Sequence, residues 1–116
     1  MKFVALISIV TAENEENIRK IAKELGASGA MVIQAKGSGF EEKKSFFSLT
    51  FEGNHTILLY ILEEKMARSV LKAIKKDIEE GKSEGVAFTT PISHVVGLNQ
   101  TVIKKFEEKI KSDEVL

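Results

Sequence analysis

Apolar residues recur along this chain with two periods, and the switch between them marks out the elements. Residues 3–10 are rich in β-branched and aromatic side chains and predict a strand. Ile18, Ile21, Ala22 and Leu25 follow at helical spacing and give one apolar stripe, with Thr11 or Asn14 as the expected cap and Gly26 as terminator. Residues 30–35 read as a second strand. Phe47, Leu49 and Phe51 alternate with Ser48, Thr50 and Glu52, the pattern of a half-buried strand. Gly53-Asn54 fits a two-residue hairpin turn, after which residues 56–62 return as a strand. Glu63 and Glu64 open a second helix with Ala67, Val70, Leu71, Ile74 and Ile78 inside, and Gly81 ends it. Residues 86–96 predict a last strand region, interrupted at Pro91. Asn99 begins a terminal helix over 99–111, with Val102, Ile103, Phe106 and Ile110 on its inner face, and residues 111–116 read as a frayed tail.

This order is β-α-β-β-α-β plus a terminal helix. It predicts a single α+β domain over 1–116: a ferredoxin-like βαββαβ sandwich with an extra C-terminal helix, two helices lying on one face of a four-stranded sheet.

A sheet covered on one face should alternate apolar and polar positions. Here Phe3, Ala5, Ile7 and Ile9 fall on one side of the first strand and Val4, Leu6 and Val10 on the other, while residues 57–62 are apolar at nearly every position. Both faces of the sheet are therefore expected to be covered, and two helices reach only one. The second cover is another subunit or, alternatively, the terminal helix folded back.

Composition narrows the function classes. Lys+Arg and Asp+Glu are both 17, so the formal net charge is zero, which argues against a nucleic-acid-binding surface. The absence of cysteine removes disulfides, thiol nucleophiles and Cys-based metal sites. His55 and His94 are the only histidines, no carboxylates show ligand spacing around them, and no metal site is expected. No serine sits in a nucleophile-elbow context and no Ser-His-Asp set is suggested, so the chain is not read as an enzyme. The apolar start at residues 3–7 is short and broken by Ser8, and no stretch has the length of a membrane span. A cytoplasmic location without direct membrane insertion is expected.

Two segments carry candidate recognition chemistry. Glu41-Glu42-Lys43-Lys44 is a charge run flanked by Phe40, Phe46 and Phe47. It reads either as a solvated loop with core-anchored phenylalanines or as a docking element whose apolar tip meets a partner. Gly37-Ser38-Gly39 and Gly81-Lys82-Ser83-Glu84-Gly85 permit tight turns or close approach to phosphate, and neither is a P-loop.

With Ile33-Gln34-Ala35-Lys36-Gly37-Ser38-Gly39 closing the second strand and Gly85-Val86-Ala87-Phe88-Thr89-Thr90-Pro91-Ile92 opening the last, the chain resembles the PII nitrogen-regulatory signalling proteins over nearly its whole length. The resemblance makes 37–46 a candidate T-loop and 81–86 a candidate B-loop. It implies a homotrimer with sheets facing the centre and an adenine nucleotide in clefts between subunits. It further implies control of a partner, a membrane transporter or a metabolic enzyme, through the T-loop. Carried onto this chain, the ligand-binding residues would be Gly37, Gly39, Lys82, Glu84, Gly85 and Thr90. The partner-binding residues would be Phe40, Glu41, Glu42, Lys43, Lys44 and Phe46.

The chain departs from the family pattern where phosphate would be held. The B-loop lysine is replaced by Val86, the two arginines after the last strand fall near Gly97 and Asn99, and the T-loop glutamine is absent near Glu41. The modified tyrosine is also missing, since Tyr60 is the only tyrosine and lies in a strand. Each lost charge-assisted contact is worth about 1.5–3 kcal/mol, so three together cost several powers of ten in affinity. The expected ligand is thus less charged than ATP, such as AMP or ADP, or a different small anion. The competing reading is a ferredoxin-like oligomeric interaction module without nucleotide binding.

Overall fold

The structure is a computed structural model that describes residues 1–36, 45–46, 49–50 and 54–98, with side chains over 1–35 and 54–98. Its elements are β1 (Phe3–Thr11), a 3-10 turn (Ala12–Asn14), α1 (Glu15–Glu24), β2 (Met31–Lys36), β3 (Ser45–Phe46), β4 (Leu49–Thr50), β5 (Asn54–Glu63), α2 (Glu64–Glu79) and β6 (Gly85–Pro91). Four strands form an antiparallel sheet in the order β2-β5-β1-β6. Each helix connects two strands that are not neighbours in the sheet, which is the α+β, ferredoxin-like arrangement read from the sequence.

Both helix stripes behave as their spacing predicts. Ile18 and Ala22 of α1 and Ala67, Val70 and Ile74 of α2 are buried, and they pack on Leu6, Val10, Leu58, Tyr60 and Leu62 of the central strands. Met66 joins this core one turn before Val70, on the same stripe, although the sequence reading did not name it. Each fully buried aliphatic side chain contributes about 1.5–3 kcal/mol, so this layer holds the helices to the sheet. Both helices end in a Schellman motif. Ala27 N donates to Ala22 O and Gly26 N to Lys23 O after α1. Lys82 N donates to Asp77 O and Gly81 N to Ile78 O after α2. Gly26 and Gly81 take the positive φ values, 100° and 76°, that this closure requires.

Several local expectations are corrected. Neither Thr11 nor Asn14 caps α1 with its side chain, because a 3-10 turn intervenes and Asn14 Nδ2 donates instead to Thr11 Oγ1 at 2.6 Å. At α2 the cap is Glu63, whose carboxylate accepts from Lys65 N (2.8 Å) and Met66 N (3.3 Å). The hairpin placed at Gly53-Asn54 is not formed as read. Leu49–Thr50 pairs with Ser45–Phe46 in a separate two-stranded sheet, and the partners of β5 are β1 and β2. Alternating residues alone cannot choose a strand's partner, and here both edges of β5 are already taken by β1 and β2. The interruption expected at Pro91 is where the last strand ends, since proline lacks the N–H to continue the ladder, and residues 92–96 do not resume it. The terminal helix expected over 99–111 lies outside the described residues.

The second face of the sheet is apolar across all four strands. In register, Ile33, Ile57, Ile9 and Val86 form one row, and Met31, Leu59, Ile7 and Phe88 form the next. No described helix covers these rows, and Met31, Ile33 and Phe88 remain 61%, 42% and 38% exposed. The double-sided apolar strands are therefore real, with the helices on one side and an open apolar face on the other.

Candidate functional site

The loops singled out by sequence leave one end of the sheet. Thr11 pairs with His55, His55 with Ala35, and Val10 with Gly85, so the exits of β1 and β2 and the entries of β5 and β6 share that end. They do not share an edge. β2 and β6 are the two outer strands, three strand spacings or about 14 Å apart. Within one chain, the end of β2 at Lys36 and the turn before Gly85 therefore lie at the same end of the sheet on opposite sides.

The turn 81–84 is the better defined of the two. Asn17 of α1 donates its amide to Asp77 Oδ2 at 2.9 Å and to Ser83 Oγ at 2.8 Å. Ser83 is buried, so this bridge ties the middle of the turn to both helices. Lys82 and Glu84 point outward and are exposed. The Lys82 ammonium sits 2.9 Å from Glu80 Oε2. The hydrogen bond and charge of Glu80 raise the Lys82 pKa, with a smaller push from Asp77, and Lys82 lowers that of Glu80. An incoming phosphate must compete with Glu80 for this cation, although an exposed pair opens readily.

Gly85 has a steric reason to be glycine. A Cβ there would lie 2.5 Å from Ile9 O and 2.7 Å from Val10 Cγ1, so β6 docks against β1 only without a side chain at this point. Thr90 lies apart from the turn. It pairs with Ala5, is exposed on the open face, and is five residues along β6, roughly 17 Å from Gly85. Lys82, Glu84 and Gly85 are thus brought together and Thr90 is not. Gly37, Gly39, Phe40, Glu41, Glu42, Lys43 and Lys44 lie outside the described residues, and Phe46 is described only as backbone in β3, opposite Leu49.

Sequence reading missed Asn17 and Asp77 and gave Ser83 no role. No linear signal joins positions 60 and 66 residues apart. The only hint was polar residues at the rims of two apolar stripes. At the other end of the molecule, Lys2, Phe3, Ile92, Ser93, Val95 and Gly97 border a cleft of about 310 Å³. Gly97, near where the family pattern carries an arginine, supplies no charge to it. Among the described residues there is no cluster of three potential metal ligands, and no helix is long and apolar enough to cross a membrane.

A split βαβ sheet with two helices on one face and an apolar second face defines a ferredoxin-like scaffold, with no assembled catalytic set among the described residues. Residues 1–102 match the family of nitrogen regulatory protein P-II, and the chain belongs to that family. PII-family proteins are regulatory. Among solved structures, CPII from Thiomonas intermedia K12 bound to ADP, AMP and acetate aligns with a TM-score of 0.67 at 17% identity, covering 90% of this chain and 94% of that one. The same protein bound to ADP and bicarbonate aligns at 0.58 and 17%, covering 79% and 87%. A PII-like signaling protein from Thermus thermophilus aligns at 0.59 and 18%, also covering 79% and 87%. These likenesses share the fold found here. Comparison with curated proteins gave no match.

Proposed function

We propose that this PII-family chain is a cytoplasmic, non-enzymatic metabolite sensor that works as a homotrimer. It binds an adenine nucleotide carrying few phosphates, AMP or ADP, in clefts between subunits. It passes the signal through residues 37–46 to a protein partner, a membrane transporter or a metabolic enzyme.

The observation that carries the reading is the open apolar face. Two rows of four apolar residues cross the whole sheet, a surface that no described element of the same chain covers. Burying it between copies supports a closed assembly. Assembly also bears on the loops. The exit of β2 and the entry of β6 leave the same end from opposite edges, so packing one copy's β2 edge beside a neighbour's β6 edge would bring the two kinds of loop into one cleft. Gly37 and Gly39 from one side would meet Lys82, Glu84 and Gly85 from the other. Thr90, on the open face, would face the assembly rather than the B-loop.

The nucleotide class is supported by the CPII structures, which carry ADP and AMP. It is supported also by the charge of the turn. Lys82 is already engaged by Glu80, and Val86 stands in the place of a lysine. Such a site favours few phosphates over three. The same shortage of cations favours the second reading, an oligomeric interaction module without nucleotide.

Ligand can move residues 37–46 only by binding their two states with different affinity. Limited proteolysis within 37–46, with and without saturating ADP, tests this. Protection by ADP is expected. Identical cleavage at demonstrated saturation would overturn the switch.

A further inference from the structure

A cleft of about 440 Å³ lies on the helix side of the sheet, and none of its lining residues belongs to the turn 81–84. Its lining is Glu16, Arg19, Lys20 and Lys23 of α1, Ser28 of the α1–β2 connection, and Tyr60 of β5. The opening exists because edge strand β2 begins only at Met31, opposite Leu59, which leaves Tyr60 without a ladder partner on that side. The volume falls in the range of small-molecule sites.

Tyr60 is the unusual member. It is the largest of the fully buried side chains, at 1% exposure. Its hydroxyl makes no hydrogen bond to any described residue. Ser8 Oγ is also without a partner but is sealed in the core, whereas Tyr60 opens onto the cleft. Unlike Ser8 Oγ, the Tyr60 hydroxyl is not among the sealed, unpartnered side-chain atoms of the core, so it is open to a ligand or to water.

We propose that this cleft binds the phosphate group of a small phosphate monoester, with Arg19, Lys20 and Lys23 supplying charge and the hydroxyls of Tyr60 and Ser28 supplying directed donors. Three cations line the cleft against the carboxylates of Glu16 and of Glu15, which pairs with Arg19, leaving one net positive charge to attract a phosphate. Arg19 also meets Glu15 at 3.6 Å, a long, exposed contact that leaves its remaining N–H groups available. Burial raises the Tyr60 pKa and Arg19 only partly opposes it, so the phenol keeps its proton at neutral pH and acts as a donor. The site is independent of the nucleotide reading.

The test is an NMR titration of the full-length, 15N-labelled chain with inorganic phosphate and, separately, glycerol phosphate, at ionic strength held constant with chloride. Tyrosine fluorescence gives a second readout that reports Tyr60 alone, because the chain has one tyrosine and no tryptophan. Saturable shifts at the amides of Lys20, Lys23 and Ser28 are expected with at least one probe, together with a saturable fluorescence change. Tyr60→Phe removes only the hydroxyl and should weaken binding about tenfold, and Arg19→Gln should do the same. Non-saturating drift with both probes would overturn the proposal. So would saturation unchanged in both variants, or shifts confined to residues 81–85, which would place the anion on the α2–β6 turn instead.

Discussion

Asn17 donates a 2.8 Å hydrogen bond to Ser83, joining the first turn of α1 to the middle of the candidate B-loop. The same amide reaches Asp77 at 2.9 Å, so one side chain fixes α1, α2 and the turn relative to one another. Ser83 is 6% exposed, and a polar group in that position is costly if its partner is lost.

Replacing Asn17 by alanine should therefore destabilise the fold by about 1–3 kcal/mol. Urea denaturation of Asn17→Ala, Ser83→Ala and the double variant measures it. The double variant should lose less than the sum of the singles, since both remove the same bond. Strict additivity would show that the contact carries no energy.

Gly85 and Gly29 make a matched pair. A Cβ at Gly85 meets the Ile9 carbonyl at 2.5 Å, whereas one at Gly29 meets nothing within 4 Å. Gly85→Ala should cost about 1–3 kcal/mol through displacement of β6, and Gly29→Ala should be neutral or slightly stabilising. Thermal melts of the two variants side by side check this. Equal melting temperatures would remove the steric account of Gly85 and leave its glycine to be explained by ligand approach.

In the proposed trimer the apolar sheet face is buried between subunits. Ile7 sits in the second apolar row, between Leu59 and Phe88. A charge there should break assembly while sparing the helix-side core. Sedimentation should give the parent chain three times the 12.8 kDa of one subunit, and Ile7→Asp a folded monomer. A monomeric parent chain would contradict the reading of this face.

Tyr60 gives a pH prediction. Its phenol pKa is raised by burial, against a smaller lowering by Arg19. Between the ordinary phenol pKa of about 10 and the raised value, the folded state holds a proton that the unfolded state has released, so stability falls as pH rises through that window. Below it Tyr60 has no effect on the pH dependence. Tyrosinate absorbance should appear above the ordinary pKa in the folded chain, and Tyr60→Phe should flatten this part of the alkaline stability curve. Ionisation at or below the ordinary value would contradict the burial described here.

Much of the fold was legible because it rests on periodicity. Ile18 and Ala22, or Val70 and Ile74, declare their buried face by spacing alone, and Gly26 and Gly81 declare helix ends because their closure needs positive φ. Apolar residues on both faces of β1 and β5 likewise announced the open rows. What failed were choices among local partners. Asn14 and Thr11 both had capping chemistry and spent it on each other, while Glu63 took the capping role at α2. Leu49 and Thr50 had a strand pattern that does not say which strand they join. The turn 81–85 announced itself through its glycines, but the Asn17 bridge that holds it spans more than half the chain and leaves no local trace. Thr90 was grouped with the turn because both lie in one motif, although an extended strand separates them.

The most direct measurement is a calorimetric titration of the assembled protein with ADP, AMP and ATP. Micromolar binding of ADP or AMP at about one site per subunit is expected, tighter than ATP and weakened by Lys82→Ala. No heat with any of the three, confirmed by no thermal shift, would contradict nucleotide sensing and leave the PII-family fold as an interaction module.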